Sequence, residues 1–120
     1  MWTVELEPIK DRLNTLDRES KVQVLAAGSV LEEFGPNLKR PLVGKIEGSR
    51  IIRSTKELRP GSTGTSEIRI LFVFDPKRKA IMLVGGDRQR KWNKWYDKAI
   101  PEAEARYVHW LEDHYGKESS

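Results

Sequence analysis

The chain has 120 residues, enough for one buried core and too few for two, so residues 1–120 are read as a single domain. Charged residues make up 33% and hydrophobic ones 38%, which fits a globular chain better than a disordered one, and the apolar runs fall far short of the ~20 residues that a membrane crossing needs. The absence of cysteine excludes disulfides, thiolate nucleophiles and cysteine zinc sites, and the net charge of +4 is unevenly spread: −3 over residues 1–37, +10 over 38–98 and −3 over 99–120.

The opening "MWTVELEP" has neither a basic n-region nor an apolar h-region, so a cytoplasmic protein with no membrane association is expected. Within it Trp2, Val4 and Leu6 alternate with Thr3, Glu5 and Glu7, the pattern of a half-buried strand. Pro8 opens a short helix to about Leu13, the chain breaks near Asn14 to Leu16, and a longer helix follows from Arg18 to Phe34. In that helix Val24, Ala27, Leu31 and Phe34 form the apolar stripe, Asp17 is the N-cap and Gly35-Pro36 the stop. The glycine-bearing "PLVGKIEGSR" reads as a loop with Leu42 and Val43 packed.

Next come the strand "IIRSTKELR", the turn "PGSTGTS" and the strand "EIRILFVFD". The last of these sets Ile68, Ile70, Phe72 and Phe74 on one face and Arg69, Leu71 and Val73 on the other, and a strand apolar on both faces belongs in the middle of a sheet. "PKRK" turns the chain into a further strand, "AIMLVGG". Two helices are predicted to follow, one carrying Trp92, Trp95, Tyr96 and Ile100, and one begun by Pro101 that carries Ala103, Tyr107, Trp110, Leu111 and His114. The expected fold is α+β: a small, mainly antiparallel sheet with a helical hairpin and C-terminal helices on one face.

The string "KELRPGSTGTSEIRILFVFD", followed by "AIMLVGGD" and "WNKWY", resembles the RelE/HigB toxins of bacterial type II toxin–antitoxin pairs, especially their phage-derived Gp49-like branch. The match in element order runs from Thr3 to Tyr107, with its characteristic wording between Lys56 and Tyr96. This resemblance implies an endoribonuclease that cuts mRNA in the A site of the ribosome, and an antitoxin partner, often a HigA-like helix-turn-helix protein. The fold is shared with ParE-like toxins, which act on DNA gyrase and are not nucleases, so that class is the alternative.

Metal-free RNA cleavage needs a base near the 2′-hydroxyl, an acid near the leaving oxygen and cations over the phosphate oxygens. Arg59 and Arg69 suit the last task, since a guanidinium fork holds two phosphate oxygens and stays charged. The two histidines, His109 and His114, lie outside the cationic stretch and at a spacing unsuited to a metal pair; no cofactor is implied. The resemblance instead points to Lys56 and Tyr96 for the proton transfers, with Glu57 and Glu67 as alternative bases. Crowding by Arg59 and Arg69 would disfavour the ammonium form of Lys56. Arg88, Lys91 and Lys94 are further phosphate contacts.

Better-studied RelE members carry one more arginine at the end of the last strand, where this chain reads "LVGGDRQRK" and must use Arg88 or Arg90; this departure motivates the ParE-like alternative. Arg69 is alternatively a partner for Glu57 or Glu67. Lys56 and Arg59 have opposite parity in a regular strand and share a face only where a bulge or strand end intervenes. The nuclease reading requires the cations at 56, 59 and 69 to converge on one pocket, and internal carboxylates that consumed them would count against it.

Overall fold

Asp17 starts the longest N-terminal element as its sequence suggests: its carboxylate accepts from the Ser20 amide at 3.2 Å, and the helix runs from Arg18 to Phe34. The computed structural model describes residues 2–46, 55–61, 66–89 and 93–116. In chain order the elements are β1 (Thr3–Glu5), a 3₁₀ turn (Glu7–Ile9), α1 (Lys10–Thr15), α2 (Arg18–Phe34), a second 3₁₀ turn (Gly35–Asn37), β2 (Val43–Lys45), β3 (Lys56–Leu58), β4 (Ile68–Phe74), β5 (Lys79–Asp87) and α3 (Asn93–Tyr115). The strands form one sheet in the order β1-β5-β4-β3-β2, antiparallel except for the parallel β1–β5 pair. None of the described helices is long and apolar enough to cross a membrane.

β4 lies in the middle of the sheet, and its two apolar faces build two cores. Ile68, Ile70 and Phe72 pack with Ile9, Val24, Ala27 and Leu31 under the N-terminal helices, while Leu71 and Val73 pack with Ile81, Leu83, Ala99, Ala103 and Trp110 under α3. Helices therefore cover both faces of the sheet, where the sequence suggested one. The reason is already in β4: five of its seven residues are buried, and a strand apolar on both sides needs cover on both. A bulge between Leu71 and Phe72 in the β4–β5 register lets Leu83 and Val84 both face α3.

Three further departures have local causes. Val43–Lys45, expected as loop, is an edge strand paired with β3, and its three residues are too few to show an alternation in sequence. Pro101, expected to start a new helix, sits inside the continuous α3. The proline deprives the Asp97 carbonyl of its donor, yet Ala99 and Ala103 are both buried against the sheet, so tertiary packing holds the helix through the break. Phe34 is 50% exposed rather than in the stripe, because Gly35 ends the helix at φ 54° and the Trp2 ring fills the space beside it.

Two polar anchors fix α3 lengthwise. Arg106 donates to the Leu83 carbonyl at 2.7 Å and to the Pro8 carbonyl at 3.2 Å, tying the helix to β5 and to the first 3₁₀ turn. At its far end the Tyr115 hydroxyl donates to Asp75, which also accepts from the amides of Lys77 (2.9 Å) and Lys79 (3.1 Å) across the β4–β5 turn. The expected strand residues 51–54 and the turn tip 62–65 lie outside the described residues, as do Arg90, Lys91 and Trp92.

Candidate active site

Glu57 is the centre of the candidate site. It stands in β3 opposite Leu71 and is fully buried, on the sheet face that α3 covers. An isolated carboxylate there would be costly, and its neighbours explain why it is tolerated. Arg59 Nε donates to Oε1 at 2.9 Å, Arg69 Nε lies 3.9 Å from the same oxygen, and the Tyr96 hydroxyl donates to Oε2 at 2.5 Å. Arg88 closes the far side: it donates to the Tyr96 oxygen at 3.1 Å and to Glu67 at 3.0 Å.

Each member comes from a different support. β3 ends at Leu58, so Arg59 emerges beyond the last paired residue on the Glu57 side, and Arg69 projects from β4 on the same face as Leu71. Arg88 follows β5 directly, and its amide still donates to the Glu67 carbonyl at 3.0 Å, so the sheet places it rather than a free loop. Tyr96 comes from the start of α3. That end of the helix sits close on the sheet because residue 86 lacks a side chain: a Cβ there would stand 2.4 Å from Trp95 Nε1.

The electrostatics follow from burial. Desolvation, and then the Arg88 charge, lower the pKa of Arg69, while Glu57 and Glu67 act in the opposite sense. Burial raises that of Tyr96, reinforced by its hydrogen bond to Glu57 and by that residue's charge, so its hydroxyl keeps its proton at neutral pH. Arg88 is pulled down by burial, but Tyr96 and the two glutamates outweigh this and leave it raised. The Arg69 Nε–H has no hydrogen-bond partner among the described residues, although Nη1 donates to the Ile68 carbonyl at 2.8 Å. Three guanidinium groups thus face two carboxylates, and the cluster keeps one positive charge in excess.

The cluster opens into a groove of about 820 Å³ that wraps the β2 edge of the sheet. Leu38 and Val43 line it on the side of the N-terminal helices, Tyr96 and Ile46 on the side of α3, and Lys39, Arg40, Lys45, Lys56 and Arg59 supply its cations. Among the described residues Glu57 is the single acidic one of its lining. Among the described residues Lys39, Arg40, Lys45 and Lys56 have no ion pair, whereas Lys10 and Arg106, elsewhere on the surface, are paired with Glu7 and Glu102.

Of the residues singled out in the sequence, the structure brings together Arg59, Arg69, Tyr96 and Arg88. Lys56 shares the groove but not the cluster: it precedes Glu57 in the strand and pairs with Phe72, so it belongs to the opposite face. Lys94 is exposed on the first turn of α3, outside the cluster, and Lys91 lies outside the described residues. Sequence reasoning undervalued Glu57, an acid placed among cations and apolar residues in "KELR", and it missed Gly44, Lys39, Arg40 and Lys45. These four lie in a segment whose short strand gave no periodic signal.

Comparison with known proteins agrees with this layout. The family model described as phage derived protein Gp49-like matches residues 11–108. In Mycobacterium tuberculosis (strain ATCC 25618 / H37Rv), the protein named "Putative toxin HigB2" is 51% identical over 110 residues, and "Putative toxin HigB3" is 46% identical over 116. The matches cover 92% and 97% of this chain; they span 54% of HigB2, so the chain corresponds to about half of that relative, and 98% of HigB3. No solved structure matches. With a family match over most of its length and two such relatives, the chain belongs to the phage-derived Gp49-like family, on its HigB-like toxin side.

Proposed function

We propose that this protein is the toxin of a type II toxin–antitoxin pair and acts in the cytoplasm as a ribosome-dependent mRNA endoribonuclease. One observation carries the reading: Arg59, Arg69, Arg88 and Tyr96 form one cluster, and Arg59 and Tyr96 carry it to a groove whose remaining cations have no ion pair among the described residues. In the proposed chemistry the 2′-hydroxyl attacks the adjacent phosphate, the arginines hold the charge gathering on its oxygens, and the 5′-oxygen leaves with a proton. Tyr96, protonated and in contact with Arg88, suits the acid role. Lys56 lines the same groove but stands on the opposite face of β3 from the arginines, so the expected convergence of 56 with 59 and 69 is not met and this reading leaves the base unassigned.

Glu57 tests the reading most severely, because internal carboxylate contacts are what would disarm the arginines. Two features argue that it organises them instead. The cluster stays one charge positive, and Arg59 spends only Nε on Glu57, with no other side-chain hydrogen bond among the described residues. Glu57 itself, with both oxygens engaged and no exposure, is out of reach of a 2′-hydroxyl. The position of Arg88 at the end of β5 favours the nuclease over a ParE-like toxin, since it supplies a strand-end arginine.

The test is induced expression in a bacterium with primer extension on a translated reporter. Growth arrest with cuts inside translated codons is expected, and Arg59→Ala and Arg69→Ala each remove both while the proteins stay folded by circular dichroism. Arrest with intact mRNA and an induced DNA-damage response would replace this reading with the ParE-like one. The proposed partner is a HigA-like helix-turn-helix antitoxin encoded beside this gene, whose co-expression restores growth.

A further inference from the structure

Arg59 is held by more than one ion pair. While its Nε donates to Glu57, the flat of its guanidinium lies on the backbone of the neighbouring edge strand at Gly44. A Cβ built on Gly44 would stand 2.5 Å from Arg59 Nη2 and 2.8 Å from Cζ, far inside van der Waals contact. Gly44 is also the cross-strand partner of Glu57, so the bare Cα and the buried carboxylate are adjacent walls of one slot. The glycine is not there for its backbone: among the described glycines only Gly35 has a positive φ, and Gly44 is in ordinary strand conformation. What position 44 supplies is space, and a guanidinium fills it.

We propose that Gly44 and Glu57 are positioning residues that together fix the guanidinium of Arg59, Glu57 by gripping Nε and Gly44 by admitting the flat group against β2, so that the Nη edge is offered to a phosphate in the groove. As a statement about phosphate chemistry this rests on the nuclease reading; as a statement about Arg59 it does not. An arginine on a strand end loses rotamer entropy when it binds an anion, and a slot that has already ordered it removes part of that loss. A displacement of about 1 Å of such a group lowers a rate about 10²-fold.

The experiment has two arms. In ¹⁵N–¹H spectra the Arg59 Nε–H, assigned by its loss in Arg59→Lys, is expected to exchange slowly in the parent protein. It should lose that protection in Gly44→Ala, and also in Glu57→Gln, which attacks the other wall should Gly44→Ala fold poorly. In the cleavage arm Gly44→Ala is expected to lower the single-turnover rate about 10²-fold with RNA affinity within about threefold, and to cost nothing further on the slow residual rate that excess Arg59→Ala protein leaves on programmed ribosomes. An Nε–H unmoved in both variants overturns the slot. So does a cleavage loss from Gly44→Ala that is undiminished in the Arg59→Ala background. If the spectra respond as expected while the parent protein cuts no mRNA, the slot stands and the nuclease reading falls.

Discussion

Two buried carboxylates, each met by a tyrosine of α3, stand near the two ends of that helix. At one end Tyr115 donates to Asp75, and at the other Tyr96 donates to Glu57. The difference lies in what else each acid binds. Asp75 takes two backbone amides of the β4–β5 turn, whose Arg78 has φ 63°, and so closes a hairpin. Among the described residues Glu57 takes side chains only, Arg59 and Tyr96 by hydrogen bond and Arg69 by charge, and Arg59 and Tyr96 reach a groove. A carboxylate satisfied by backbone fixes architecture, while one satisfied by cationic side chains holds those cations in place for something else.

Exchanging the tyrosines breaks the comparison most sharply. Tyr96→Phe removes the proposed acid and should lower cleavage by about 10²- to 10⁴-fold, whereas Tyr115→Phe should leave the rate unchanged; single-turnover cleavage on programmed ribosomes measures both. The acids come next, in stability. Asp75→Ala strands two turn amides and the Tyr115 hydroxyl and should cost about 2–3 kcal/mol, lowering the melting temperature by roughly 10 °C, while protein held below its transition still cleaves. A smaller effect is expected at Gly86. There Gly86→Ala forces the Trp95 ring off the sheet at a cost of about 1–2 kcal/mol, and near-ultraviolet circular dichroism should register the shift.

How far the sequence discloses these two regions follows from the range of the forces involved. The Asp17 cap, the α2 boundaries and the two-faced β4 are set by neighbours within one turn or one strand, and all were legible. Arg59 and Arg69 were legible from guanidinium chemistry and Tyr96 only through resemblance to the toxin family, while Lys56, expected to converge with the two arginines, lies on the opposite face of β3. The meeting point of Arg59, Arg69 and Tyr96 depends on β3–β4 pairing and on the seating of α3, neither of which leaves a local mark. Two features hid for physical reasons. Pro101 looks like a helix start because the packing that carries α3 through it is tertiary, and Gly44 looks like a loop residue because the atom that needs its space belongs to Arg59, fifteen positions on.

The smallest predicted effect separates the two tyrosines without any enzymatic assay. Burial and the Asp75 hydrogen bond push Tyr115 up to about 12, and burial with the Glu57 hydrogen bond raises Tyr96. Both folded-state values exceed the ordinary tyrosine value of about 10, so as pH rises the unfolded chain gives up these protons first. Their stabilising contribution is therefore complete below about pH 10 and declines as pH climbs toward the folded-state values. Denaturant midpoints taken between about pH 9 and about pH 11 should fall, and Tyr115→Phe should flatten part of that fall. Adding a cleavage-resistant 2′-O-methyl RNA strand distinguishes the two ends. A phosphate beside Arg88 places further negative charge next to Tyr96 and should raise its titration, followed by tyrosinate absorbance, while Tyr115, at the far end of α3, should titrate as before. A shift at Tyr115 instead would move the anion site to the hairpin end and reverse the roles assigned to the two carboxylates.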